Sequence, residues 1–229
     1  MIKIEHTDVN GFEAAIRGMR NPWNSWEKSD SYWTYIEDEH TLQRAPFEFF
    51  VGENDLTLMK KLVNAGTDHS KFMRMINVTC DIIAPLYWWK EFDTYKVGTV
   101  RNSCSTMHTI TEKEFDLDDF SIDTFELPES QSEIVGTIIS DYLGLLESAR
   151  QNFNKTKDKK WWKLLIQLIP SSYNQRATAQ LNYAVLRNMY HARKNHPLDE
   201  WHDFCRWIET RPYSELITGG NGAKMDEEM

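Results

Sequence analysis

The sequence predicts a mixed α/β fold with more helix than strand. Apolar residues at positions 76, 78, 80 and 82 alternate with polar ones, which indicates a half-buried strand over residues 75–83. Residues 54–66 and 132–152 instead carry apolar side chains at helical spacing. Helical segments outnumber strand segments along the chain, and this is the basis for the predicted class.

The first half of the chain alternates short strands with short helices. A strand is predicted at 2–6, a short strand or connector at 47–51, helices at 11–19, 54–66 and 86–94, a tryptophan-rich loop at 21–34, and a loop or short strand at 97–107. We expect Asn54 or Asp55 to cap the second helix and Gly66 to end it. Pro85 is expected to stop the strand that begins at residue 75.

The second half is predicted to be mainly helical. An acidic, solvated segment at 111–131 precedes helices at 132–152, 159–168, 173–193 and 198–210, and the helix at 173–193 is predicted to be the longest. One broad apolar face of that helix includes Ala177, Leu181, Ala184, Val185, Met189 and Ala192. The helix at 132–152 is expected to turn these apolar side chains inward: Ile134, Ile138, Ile139, Tyr142, Leu145 and Leu146.

Composition limits the class of protein. The 229 residues suffice for one domain, expected over residues 1–218 with a disordered tail at 219–229. A net charge of −9 argues against DNA or RNA as a partner, and no apolar run is long enough to span a membrane. The three cysteines lie far apart and the first residues lack a secretory signal, so a cytoplasmic protein is expected.

The segment at 84–108, APLYWWKEFDTYKVGTVRNSCSTMH, has the layout of a nucleotide-binding active-site segment. It resembles the flavin-dependent thymidylate synthases, in which an Arg-His-Arg signature and a later Ser follow an Ala-Pro. Counted from Ala84-Pro85, the signature falls on positions 94–96 and its Ser on 104. A second frame, one residue forward, places them on 95–97 and 105, and the two frames remain open.

Few of the signature's cations remain in this chain. In both frames Lys96 is the one charged residue, and a Lys can bind phosphate as a point charge without the bidentate fork of an Arg. Arg101, Asn102, Ser103 and Ser105 follow, and their polar groups suit a phosphate or a uracil edge. A polar surface loop with a lone Lys is the alternative interpretation.

Two further segments support the resemblance. The family's Asn-Ala-Arg and a second Arg eleven residues after its Asn correspond to Asn182 and Arg193, while the first Arg falls on Ala184. Residues at this spacing share one helical face, so Asn182 and Arg193 are expected to line one groove. Alternatively, Arg193 is an ordinary cation at a helix C-terminus. In a third segment, residues 71–74 keep only Phe72 of the family's Pro-Phe-Glu-His, with Arg74 in place of its His.

The resemblance implies a fold, an assembly and a reaction. The fold is an α/β domain with a small twisted antiparallel-type sheet flanked by long helices, assembled as a homotetramer with sites at subunit junctions. The family transfers a methylene from a folate to deoxyuridine monophosphate (dUMP) and reduces it with flavin hydride. FAD is therefore the expected cofactor, and NADPH and methylene-tetrahydrofolate are implied by the resemblance alone.

The same resemblance assigns binding residues and leaves the catalytic residues unassigned. Flavin is expected to contact Arg74, Lys96 and Asn182. The nucleotide, the one expected small-molecule partner, is expected to contact Arg101, Ser103, Ser105 and Arg193. No metal is expected, because the spacing of His191, His196 and His202 does not suit zinc.

Three functional hypotheses remain open at this point. The first is a divergent enzyme that transfers a methyl group to dUMP. The second is a non-catalytic protein that binds or sequesters a nucleotide, or serves in assembly, because each lost Arg removes a charge-assisted bond. The third is an unrelated α/β protein that shares these spacings. Cysteine catalysis by Cys104 and His108 is disfavoured, since no partner acid is visible.

Overall fold

The computed structural model describes residues 2–35, 47–123 and 127–219. Its strands are β1 (Lys3–Asn10), β2 (Tyr32–Tyr35), β3 (Phe47–Phe50), β4 (Asn77–Pro85), β5 (Val100–Ser103) and β6 (Asn174–Asn182). Its helices are α1 (Phe12–Arg20), α2 (Glu53–Asn64), α3 (Leu86–Phe92), α4 (Thr106–Thr109), α5 (Glu129–Thr156), α6 (Lys159–Leu168), α7 (Tyr183–Arg193), α8 (Asp199–Glu209) and α9 (Glu215–Thr218). Short 3₁₀ turns cover Asn21–Trp23, Trp26–Lys28, Lys71–Met75 and Leu117–Asp119.

A small antiparallel sheet lies among these helices, which confirms the predicted fold class. Its four strands follow the order β1, β4, β6, β5, and β2 pairs separately with β3 as a hairpin. The alternation predicted for β4 is confirmed, because Val78, Cys80 and Ile82 are all buried. The prediction that Pro85 stops this strand is confirmed, since Pro85 is its last residue and also the N-cap of α3.

The long helix predicted at 173–193 is wrong in its first half. Residues 174–182 form β6, in which buried Ala177, Ala179 and Leu181 alternate with exposed residues. Ala177 and Leu181 also satisfy helical spacing, but pairing within the sheet satisfies the backbone and overrides helix propensity. The helix α7 begins only at Tyr183.

The described residues cluster into two compact units. The first comprises Met1–Glu5, Asp81–Thr94 and Arg101–Ala179. In it α5 packs against α6, and the core of this packing is Ile110, Phe120, Leu146, Ala149 and Leu165. The inward face predicted for α5 is partly wrong. Ile134, Ile138 and Leu145 are about half exposed or more.

The second unit comprises His6–Cys80, Tyr95–Val100 and Gln180–Met229. Its buried side chains come mainly from helices and include Ala15, Ile16, Met59, Leu186, Met189, Trp201, Phe204, Ile208 and Ile217. The N-cap of α2 is Gly52, so the predicted cap at Asn54 or Asp55 is wrong. The Asp55 carboxylate is instead engaged by Arg20, Ser29 and Ser31. The predicted end of this helix at Gly66 is confirmed by the positive φ of 107° there.

Two expectations concern the limits of the chain. The predicted tail from residue 220 onward lies outside the described residues, and one domain over residues 1–218 stays a prediction. None of the helices in the described part of the chain combines the length and the apolarity needed to cross a membrane.

Candidate functional site

The segment Tyr95–Val100 packs against α7 through Arg193, the last residue of that helix. The Arg193 Nε donates to the Tyr95 hydroxyl at 2.9 Å, and the guanidinium carbon lies 4.9 Å from the Trp201 ring centroid. The two rings lie 6.3 Å apart. A guanidinium set against aromatic rings is favoured by cation–π attraction and loses part of its rotamer freedom. Arg193 is therefore a fixed, half-buried cation at the helix C-terminus.

The same segment approaches the beginning of α7 closely. Gly98 has a φ of 82°, and a Cβ there would lie 2.9 Å from Asn182 Nδ2 and 3.1 Å from Val185 Cγ2. Asn182 is the N-cap of α7, and its Oδ1 accepts from the Val185 backbone N–H at 3.0 Å. Asn182 and Arg193 thus lie at opposite ends of α7, and both approach the segment Tyr95–Val100.

Two other predicted cations in this unit are exposed. Lys96 follows Tyr95, and Arg74 lies on the 3₁₀ turn Lys71–Met75, next to buried Phe72 and Met73. Within residues 2–35, 47–123 and 127–219, neither Lys96 nor Arg74 forms an ion pair. Both side chains are therefore available to an anionic ligand.

Arg101 on β5, in the other unit, is engaged by its own chain. Its guanidinium carbon lies 3.9 Å from the Trp89 ring centroid, and one amino group donates to Asp93 Oδ2 at 2.7 Å. The other amino group donates to the side-chain oxygen of Gln175. The Nε is buried and has no hydrogen-bond acceptor in the described part of the chain. Arg101 is thus preorganised, but Asp93 offsets its charge.

Ser103 and Ser105 follow Arg101 and are both exposed. Ser105 precedes α4 without capping it through its side chain. Between them, the Cys104 backbone is held by two bonds, since its N–H donates to Arg176 O at 2.8 Å and its carbonyl accepts from Gln175 Nε2 at 2.9 Å. The backbone is therefore fixed while the two hydroxyls remain accessible.

No protein-family model matches the sequence, and no curated protein matches it. Solved structures do match it. Flavin-dependent thymidylate synthase ThyX from Helicobacter pylori, complexed with FAD and dUMP, superposes with a TM-score of 0.63 at 17% identity, covering 94% of this chain and 97% of that one. A second structure, Thymidylate Synthase X from the same organism with FAD and dUMP, gives 0.64 at 16% identity, covering 95% and 97%. The chain has the fold of the flavin-dependent thymidylate synthases.

A third match extends the comparison beyond that enzyme. The UMP/dUMP methylase PolB from Streptomyces cacaoi, bound with 5-Br dUMP, superposes with a TM-score of 0.57 at 13% identity, covering 96% of this chain and 95% of that one. The fold implied by the sequence resemblance is therefore confirmed over nearly the whole chain.

On this thymidylate synthase fold, the predicted site residues fall into two groups. Lys96, Asn182 and Arg193 belong to α7 and the segment against it, whereas Arg101 and Ser103 belong to β5 in the other unit. Sequence reasoning missed the direct partners of the two arginines. Tyr95 lies within the signature, where it was interpreted only as the loss of a cation. Gln175 lies in a segment that was predicted to be helical but forms a strand.

The contact between Asp93 and Arg101 was also not predictable from the sequence. It precedes Arg101 by eight residues, a spacing that predicts no contact between α3 and a following strand. Among the described residues no group of three or more His, Cys, Asp or Glu side chains could hold a metal ion.

Proposed function

We propose that this chain is a divergent thymidylate synthase-like protein that binds a pyrimidine deoxynucleotide and transfers a methyl group to dUMP. The observation that carries the proposal is common to the three matched structures. Each is described with dUMP or 5-Br dUMP, and each superposes over at least 94% of this chain. The ligand that the three share is a uridine-type monophosphate, so it is the first ligand to expect on this fold.

The chain's own residues can meet two needs of such a ligand. The phosphate needs a cation, and Arg193 offers a guanidinium already positioned by Tyr95 and Trp201. Preorganisation lowers the entropy cost of binding. The uracil edge needs donors and acceptors, and the exposed hydroxyls of Ser103 and Ser105 supply both.

The residues present also fit FAD, which accompanies dUMP in two of the matched structures. The diphosphate of FAD needs cations without carboxylate partners, and in the described part of the chain Arg74 and Lys96 meet that requirement. The Asn182 Nδ2 remains a donor because only its Oδ1 caps α7. When bound, FAD would supply the hydride that completes methyl transfer. The chain's part is to hold the phosphates.

The remaining parts of the proposal rest on the resemblance of residues 84–108. NADPH and methylene-tetrahydrofolate would be the other reactants, and the working form would be a cytoplasmic homotetramer. No side chain is assigned as a catalytic residue, because this reaction requires binding and electrostatic stabilisation rather than a protein nucleophile.

Two measurements on the purified chain test the proposal. A visible spectrum, before and after addition of FAD and removal of the excess, should show protein-bound flavin. Tritium should be released from 5-tritiated dUMP when methylene-tetrahydrofolate and NADPH are present. Colourless protein that takes up no FAD and binds no dUMP would refute the proposal. Binding of dUMP without tritium release would instead establish a non-catalytic nucleotide-binding protein.

A further inference from the structure

A cavity, called here the ring cavity, lies in the unit that contains α1 and the β2–β3 hairpin. Its volume is about 210 Å³, and three aromatic side chains line it: Trp26, Trp33 and Phe49. Glu13 and Arg17 on α1 also line it. It shares no residue with the candidate nucleotide site. A cavity of this size suits a ligand with a single ring.

Measured contacts join the hairpin wall of the ring cavity to the α1 wall. Trp33 and Phe49 are directly opposite each other in the hairpin register, so their side chains share one face of it. Their ring centroids lie 5.2 Å apart at an interplanar angle of 65°. The Trp33 indole N–H donates to Glu13 Oε2 at 3.3 Å, and Glu13 Oε1 accepts from Arg17 at 2.7 Å. Two rings and one ion pair therefore border the same space.

The third ring, that of Trp26, is held in place by its own surroundings. The two amino groups of the buried Arg20 donate to the backbone carbonyls of Ser25 and Lys28, at 3.2 Å and 3.0 Å, on either side of Trp26. The Trp26 indole N–H donates to Asn21 Oδ1 at 2.7 Å. The wall is thus formed before any ligand arrives, which lowers the entropy cost of binding.

The two tryptophans of the ring cavity present ring surface to solvent. Trp26 is 49% exposed and Trp33 is 46% exposed. Each indole N–H is engaged within the chain, so these side chains offer ring surface rather than a hydrogen-bond donor. Aromatic rings favour offset-stacked or edge-to-face contact with another ring. The walls of the cavity therefore suit a planar aromatic ligand.

The charges at the ring cavity cancel in pairs. Glu13 is paired with Arg17, and Arg20, which also lines the cavity, is paired with Asp55 at 2.6 Å. A neutral ligand is therefore favoured over an ion. The Arg17 side chain is 63% exposed, and apart from Glu13 its guanidinium has no acceptor within the described residues. Its remaining N–H groups can donate to a carbonyl oxygen.

We propose that the ring cavity binds a small neutral aromatic compound that carries a carbonyl acceptor, of the aromatic carboxamide class. The ligand ring packs against Trp26 and Trp33, and its carbonyl oxygen accepts from Arg17. The rings supply the contact area, and the guanidinium fixes the orientation. This inference is independent of the proposed nucleotide function.

The test compares ligands that differ in one property, by calorimetry on the full chain. Benzamide should bind with a Kd of about 10 mM or tighter. Cyclohexanecarboxamide keeps the amide but has no aromatic ring, and it should bind about fivefold more weakly. No benzamide binding up to about 20 mM, or equal affinity for the two amides, would overturn the proposal.

Charged relatives of benzamide test the preference for a neutral ligand. Benzoate and benzylammonium keep the aromatic ring and carry opposite charges. Both should bind more weakly than benzamide, because the ion pairs at the cavity leave no net charge to attract either of them. Tighter binding of either ion would contradict the ligand class.

Variants locate the binding. Trp33→Leu should weaken benzamide binding about fivefold, whereas Trp23→Leu, an exposed ring that does not line the cavity, should leave it unchanged. Arg17→Gln should weaken it about threefold, and Arg206→Gln, an exposed cation on α8, should not. Circular dichroism confirms that each variant is folded. Benzamide binding that is the same in all four variants would contradict the assignment.

Discussion

Two Arg–Asp ion pairs of this chain differ in their exposure to solvent: one is buried and stabilises the fold, and the other lies near the surface. In the pair Arg20–Asp55, the two side chains are 5% and 0% exposed, and Arg20 Nε donates to Asp55 Oδ1 at 2.6 Å. In the pair Arg101–Asp93, the Asp93 side chain is 51% exposed. The first pair is sealed from water, whereas the second can exchange its carboxylate for another anion.

The hydrogen bonds around each pair explain the difference. The Asp55 Oδ2 accepts from the Ser29 hydroxyl at 2.5 Å and from the Ser31 hydroxyl at 2.7 Å. The amino groups of Arg20 donate to two backbone carbonyls, at 3.2 Å and 3.0 Å. Arg101 instead keeps a buried Nε without an acceptor in the described part of the chain. A complete network indicates a structural role, and an incomplete one leaves a donor for a ligand.

The largest expected effect follows from removing the buried ion pair between Arg20 and Asp55. Asp55→Ala should lower the free energy of unfolding by about 3–5 kcal/mol, because it leaves the Arg20 guanidinium buried without its counter-charge. Urea denaturation followed by circular dichroism measures this change. The control Asp203→Ala removes an exposed partner of Arg206 and should cost less than about 1 kcal/mol. Similar losses in both variants would contradict the distinction.

The second prediction concerns pH. Burial raises the pKa of Asp55, but hydrogen bonds from Ser29, Ser31 and Arg20 outweigh this effect, so its pKa lies below the ordinary value of 3.8. The unfolded chain then takes up the proton first as pH falls. The contribution of Asp55 to stability is therefore complete above pH 3.8 and is lost as pH falls from there through the lowered pKa.

Urea denaturation across this acidic range checks the pH prediction. The stability of the wild-type chain should fall more steeply below about pH 4 than that of Asp55→Asn, which has no carboxyl to titrate at this position. Parallel curves for the two proteins would show that the network does not stabilise the charged carboxylate.

The smallest expected effect on stability follows from removing the partly exposed ion pair between Arg101 and Asp93. Asp93→Asn should change the free energy of unfolding by less than about 1 kcal/mol, because Asp93 is half exposed. The same change releases the charge of Arg101 and should strengthen dUMP binding about threefold. Denaturation and calorimetry measure the two effects. A large loss of stability, or weaker dUMP binding, would show that this pair is structural after all.

The sequence correctly predicted the helices and strands whose hydrophobic pattern is contained within the element itself. The helices α2, α6 and α8 and the strand β4 were found within a few residues of their bounds, because each carries one clear period and a recognisable beginning or end. The strand β6 was missed because Ala177 and Leu181 satisfy both a helical and an alternating pattern. Only pairing with distant strands decides between the two patterns.

The site was predictable in type more than in detail. Cations at 96, 101 and 193 were expected, but their surroundings depend on long-range contacts, such as that between Arg101 and Gln175, which are 74 residues apart. The predicted cap of α2 was wrong for a related reason, since Asp55 belongs to a hydrogen-bond network that includes Arg20 on another helix. No short window of sequence contains such information.

Calorimetry with dUMP tests the central claim of nucleotide binding most directly. The wild-type chain should bind dUMP, and Arg193→Ala should weaken binding at least about tenfold by removing a charge-assisted bond. Arg206→Ala, which removes an exposed cation on α8, should bind like the wild type. Absence of binding to the wild-type chain, or equal affinity in the two variants, would contradict the account.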